Sequence, residues 1–83
     1  MDFQYQIWQN INTTPARFIR IAKNLTDIDK VAYRVTAEYQ NGIPIASWEF
    51  NGAYSKVLVD NYAMNLFASG WSLLSCKKDN END

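Results

Sequence analysis

Glu38 and Glu49 are the two carboxylates whose spacing invites a catalytic reading. A glycosidase-type mechanism needs one carboxyl as acid and a second as base or nucleophile across a cleft. Around the turn Asn41-Gly42 the two fall on one sheet face, but Glu49 stands opposite Arg34 rather than Glu38. Both read as salt-bridged surface groups. Asp27 and Asp29 alternate like the start of a cation loop, without the further oxygen ligands and the glycine such a loop requires. The chain contains no histidine, which removes most zinc sites and every imidazole acid–base mechanism. Cys76, beside Lys77, is the single thiol. It has no base partner in sequence and reads as a packing residue. The expectation is a protein that is not an enzyme and uses no cofactor or metal.

Charge points the same way. The 83 residues carry eight basic and nine acidic groups, a net charge of -1. A near-neutral body has little long-range attraction for a phosphate backbone, and it is not the acidic surface of a DNA mimic. The basic residues that could touch phosphate are Arg17, Arg20 and Lys23, with Lys56 further on. They define the alternative reading, a weak nucleic-acid binder using a basic helix face.

The elements that would position these groups follow from hydrophobic period. Phe3, Tyr5 and Ile7 alternate with Gln4, Gln6 and Trp8, which predicts a strand over 2–8 with Phe3, Tyr5 and Ile7 inward. A helix competes there, because Phe3, Ile7 and Ile11 also recur every four residues. Thr14-Pro15 has the form of a helix start. The placement of Phe18, Ile21, Ala22 and Leu25 against Arg17, Arg20, Lys23 and Asn24 predicts a helix over 15–25.

A hairpin follows, turning at Asn41-Gly42. Counting outward pairs Tyr39 with Pro44, Ala37 with Ala46, Val35 with Trp48 and Tyr33 with Phe50. Every pair on that face, which also carries Val31, is apolar and reads as core. The other face pairs Arg34 with Glu49, Thr36 with Ser47 and Glu38 with Ile45. Pro44 cannot donate to a ladder, so its strand belongs at an edge.

A second helix is predicted over 53–69, with Gly70 ending it and Val59, Tyr62, Ala63, Leu66 and Phe67 inward. Trp71 to Cys76 offers a short last strand. Residues 1–76 form one compact domain, and 77–83 a disordered polar tail. The fold class is α+β: a small antiparallel sheet with two helices on one face, ferredoxin-like (βαββαβ) if the last strand forms. If residues 2–11 are helical instead, the hairpin packs against three helices. No segment is long and apolar enough to span a bilayer, and no N-terminal run has a signal peptide's pattern. With one free cysteine, the expected location is cytoplasmic.

The remaining functional signal is a polar sheet face. Gln4, Gln6, Thr36, Gln40 and Ser47 surround Trp8 and Ile45. Short amides and hydroxyls around an aromatic and an aliphatic anchor make a protein-contact patch. A homodimer through this face would use it equally well.

In layout, a strong hairpin followed by a helix ending in Gly70-Trp71, the chain is similar to some small phage and mobile-element anti-CRISPR proteins. The likeness covers residues 31–71 and lies in size and element order. It implies a protein-binding inhibitor or adaptor that captures a larger defence complex, by steric or allosteric means given the near-neutral charge. The segment Gly52-Ala53-Tyr54-Ser55-Lys56 also resembles the last helix of double-stranded-RNA-binding domains. It departs from them where Val57 and Asp60 replace expected basic residues. Besides capture and weak nucleic-acid binding, a structural homo-oligomer is the third reading.

Overall fold

The computed structural model describes residues 3–24, 33–39 and 41–78. The alternating segments form β1 (Phe3–Asn10), β2 (Arg17–Lys23), β3 (Tyr33–Tyr39) and β4 (Pro44–Phe50). The single helix among the described residues, α1 (Ser55–Ala68), leads to β5 (Ser72–Lys78). The five strands make one antiparallel sheet in the order β4-β3-β2-β1-β5. The first four strands meander. The helix then carries the chain across one face, so that β5 pairs with β1.

Residues 17–23 are strand, not helix, so among the described residues the sheet carries one helix, and the element order is not the ferredoxin-like one. Ile19 and Ile21 are β-branched and face inward, buried opposite Ala37 and Val35. Phe18, Arg20 and Ala22 take the other face. A strand sets Arg20 between Phe18 and Ala22, an arrangement unfavourable only on a dry face. No described element covers it, and Arg20 stands in solvent.

β1 is a strand, but its faces are reversed. Trp8 is only 6% exposed and lies in the core, whereas Tyr5 and Ile7 are half-buried on the opposite face. The cause is a bulge. Phe3 opposes Lys78 and Tyr5 opposes Lys77, which leaves Gln4 as an extra residue on β1. A bulge resets the two-residue alternation. Phe3 therefore points inward, with its ring 5.6 Å from that of Tyr33, without Tyr5 and Ile7 following it.

The hairpin register is as counted over five pairs, from Tyr33 with Phe50 to Ala37 with Ala46. It slips by one beyond Ala37, so Glu38 faces Pro44 instead of Ile45. Gly42 supplies the positive φ of +80° the turn demands. β4 is an edge strand, as Pro44 requires.

Beneath the helix, Phe3, Trp8, Ile19, Ile21, Tyr33, Val35 and Ala37 pack with Val59 and Leu66. Tyr62 and Ala63 flank this cluster. Tyr62 meets Trp48 edge-on at 5.8 Å and Phe50 at 6.0 Å. Phe67, placed inward by helical spacing, is instead 75% exposed. The helix ends on a closed C-terminal motif: Gly70 N–H donates to Phe67 O (3.2 Å) and Trp71 N–H to Leu66 O (3.0 Å). Gly70, at φ +90°, makes that reversal. β5 runs through Lys77 and Lys78, which charge alone assigned to the tail. Residues 79–83 and Val31 lie outside the described residues.

Trp8→Ala should destabilise the domain by about 3–5 kcal/mol, the usual result for a large aromatic core truncation. Phe67→Ala should stay within about 0.5 kcal/mol of wild type. Urea unfolding of the two variants checks both, and a small effect at Trp8 would contradict the inward assignment.

Candidate functional site

The sheet has one face under the helix and one that no described element covers. The open face is built in three cross-strand rows. Lys77, Tyr5, Ala22, Arg34 and Glu49 form the first. Ser75, Ile7, Arg20, Thr36 and Ser47 form the second. Ser72, Gln9, Phe18, Glu38 and Pro44 form the third. Tyr5, Ile7 and Phe18 occupy the middle strands, and hydroxyl and amide side chains surround them. These three residues are half-buried by their neighbours within the sheet.

The arginines of this face are held in place. Arg34 Nη2 lies 2.7 Å from Glu49 Oε1, with Nε donating to the same oxygen at 3.2 Å. Arg20 Nη2 reaches Glu38 Oε1 at 3.3 Å. The hydrogen bond from Arg34, then that from Asn51, hold the Glu49 carboxyl below the usual glutamate range. The two glutamates are thus each committed to an arginine and share no cleft, so the face lacks the paired free carboxyls of hydrolytic chemistry. No group of metal-ligating side chains occurs among the described residues. Asp27 and Asp29 lie outside them.

The contact patch read from sequence is split by the fold. Thr36 and Ser47 are neighbours on the open face. Trp8 and Gln6 lie under the helix instead, where Trp8 Nε1–H donates to Gln6 Oε1 at 3.1 Å. Gln4 is the bulged residue, and Ile45 sits exposed beside the slip in β4. Gln40 lies outside the described residues. The anchors of the open face are therefore Tyr5, Ile7 and Phe18, which sequence reasoning had assigned to the core. The signal that could have found Phe18 is the β-branched pair Ile19 and Ile21, which marks Arg17–Lys23 as a strand.

The basic stripe divides as well. Arg17 and Lys23 share the helix side of β2 and Arg20 the open side. The Arg17 guanidinium lies 5.9 Å over the Trp71 ring. Lys56 pairs with Asp60 at 2.8 Å and lies 5.9 Å over Phe3. The described helix has no basic face: the basic residue of α1 is Lys56, engaged one turn on by Asp60. Burial pushes the Tyr62 hydroxyl above its ordinary range, with Arg17 acting against it. Cys76 is half-buried opposite Gln6. No described helix is long and apolar enough to cross a membrane.

A carboxyl whose folded pKa is depressed adds stability above its unfolded pKa, and that stability fades as pH falls through the folded value. For Glu49 the window lies below the ordinary value of 4.5. Carbon-detected NMR titration should therefore find Glu49 titrating below 4.5, and Arg34→Ala should return it toward that value. An unchanged Glu49 titration in the variant would contradict the assigned cause. No protein-family model, curated protein or solved structure matches this chain.

Proposed function

We propose that this chain is a non-enzymatic protein-binding module, an inhibitor or adaptor that captures a larger protein through its open sheet face. One observation carries the reading. Tyr5, Ile7 and Phe18 stand together on a five-stranded surface that no described element covers, with Arg20 and Arg34 fixed beside them by Glu38 and Glu49. Aromatic and arginine side chains are the groups that most often dominate binding energy at protein interfaces. A surrounding rim of Ser47, Ser72, Ser75, Thr36 and Gln9 suits the polar margin of such a contact. Arginines already held in ion pairs keep their planar faces for packing without losing rotamer freedom on binding. The layout shared with small anti-defence proteins makes a host defence complex the class of target to try first, blocked sterically or allosterically.

Aromatics beside arginines on an open sheet also suit stacking of a single nucleic-acid strand. The committed ion pairs and the net charge of -1 weigh against it.

The test is capture from host lysate with tagged protein, nuclease-treated and washed at high salt. The expected result is a stoichiometric protein retained by wild type and by Met64→Ser. Tyr5→Ala combined with Phe18→Ala should lose it, by at least about 2 kcal/mol in a binding titration with that partner. Nucleic acid recovered only without nuclease would replace the reading with strand binding.

A further inference from the structure

We propose that the outer side of α1 is a self-association seam: two copies of this chain pair their helices antiparallel, centred on Asn61, with the two sheets turned outward. The open sheet face takes no part, so the pairing does not rest on the capture reading.

α1 is apolar on two opposite sides. Val59 and Leu66 point into the core, with Tyr62 and Ala63 beside them. Away from the sheet, Tyr54, Val57, Asn61, Met64 and Ala68 recur at alternating steps of three and four residues. That is the rhythm of a coiled-coil seam, the side that one helix turns to another. Tyr54 is 77% exposed, Val57 56% and Met64 68%, and Leu58, beside the seam, is 47% exposed. Asn61, Asn65 and Ala68 are exposed as well, and Phe67 lies to one side. The charged residues of the helix, Lys56 and Asp60, stand off the seam and pair with each other at 2.8 Å. A surface helix ordinarily turns charged groups to water, and this one turns uncharged side chains.

Three features select a second copy as the occupant. The first is Asn61, in the middle of the seam. An amide both donates and accepts, so an identical amide across a two-fold axis satisfies it. A lipid surface or a wholly apolar groove would bury it unmatched. In coiled coils an asparagine within the seam fixes register in this way. The second feature is charge. α1 has no acidic residue in its first turn and no basic residue in its last. Its end charges are therefore unmatched by its own side chains, and an antiparallel second helix brings the opposite partial charge to each end. The third is area. The seam and its flanks leave roughly 600 Å² exposed, as large as the largest patch on a typical monomer. Two such surfaces bury about 1,200 Å², where stable specific interfaces begin. Centred on Asn61, the pair sets Val57 against the second copy's Met64, Leu58 against its Asn65, and Tyr54 against its Ala68.

Sedimentation of the full chain measures the mass in solution, expected at micromolar concentration to be twice the 9.6 kDa of one chain. Met64→Lys buries a charge against the second copy's Val57, and should weaken self-association about tenfold or more while circular dichroism stays native. Ser47→Lys, on the open face, should leave the dimer intact. Orientation is read by mixing Val57→Cys and Met64→Cys chains, each in a Cys76→Ser background, under mild oxidation. The disulfide expected joins position 57 to position 64. A disulfide joining 57 to 57 marks a parallel pair and overturns the proposal. A monomeric mass across the micromolar range overturns it too, and flotation of that monomer with phosphatidylcholine vesicles would assign the seam to a lipid surface. A dimer dissolved by Ser47→Lys and not by Met64→Lys likewise overturns it, since the contact would then lie on the sheet.

Discussion

Among the described residues a single helix has to cover a five-stranded sheet, and most of the architecture follows from that mismatch. An α-helix with its side chains is about 10–12 Å wide. Five strands spaced about 4.8 Å apart span about 19 Å between their outer axes. The core is therefore a band rather than a layer. Ile21, Val35 and Val59 are fully buried in it, while Trp48 and Leu73 near the sheet margins remain partly in solvent. Large rings widen the band: Phe3 and Tyr33 at one end, Trp8 toward β5, and Tyr62 reaching over Trp48 and Phe50. No described helix covers the second face, which carries arginines in its centre.

How legible this was in the sequence differed by element, for identifiable reasons. The β3–β4 hairpin could be counted because its cross-strand pairs are apolar on one face and polar on the other, so a register error would have violated both. The slip at Glu38 could not be counted, because it arises where proline removes a ladder bond. The α1 stop was legible in Gly70, since few other residues take that backbone geometry. Arg17–Lys23 misled because its apolar residues satisfy two periods at once. The choice between them depends on whether the second face is wet, which is a tertiary fact.

Trp8 shows how one local irregularity changes a functional assignment. With Phe3 correctly taken as buried, strict alternation forces Trp8 outward and makes it a binding anchor. The extra residue Gln4 reverses that, and the whole candidate surface moves from Trp8 and Ile45 to Tyr5, Ile7 and Phe18. The chemistry of the face, aromatic and aliphatic anchors within hydroxyls and amides, was legible. Which residues supply the anchors was not. The cations behave likewise: Arg17, Arg20, Lys23 and Lys56 look like one stripe in sequence, and the fold sets Arg17 over Trp71, Arg20 against Glu38 and Lys56 against Asp60.

The strand order also sets a schedule. β1 is the first described strand to leave the ribosome, and β5, its outer neighbour, is the last. The meander β1 to β4 can pair as it emerges, through local hairpins with low closure cost. Until α1 and β5 are out, however, β1 is itself an edge, with Trp8 and Phe3 uncovered. The nascent chain thus passes through a stage in which the β1 edge is exposed and its covering is not yet synthesised. Slow translation or a stall beyond Phe50 would prolong that stage, and a chaperone that holds the β1 edge would shorten its consequences.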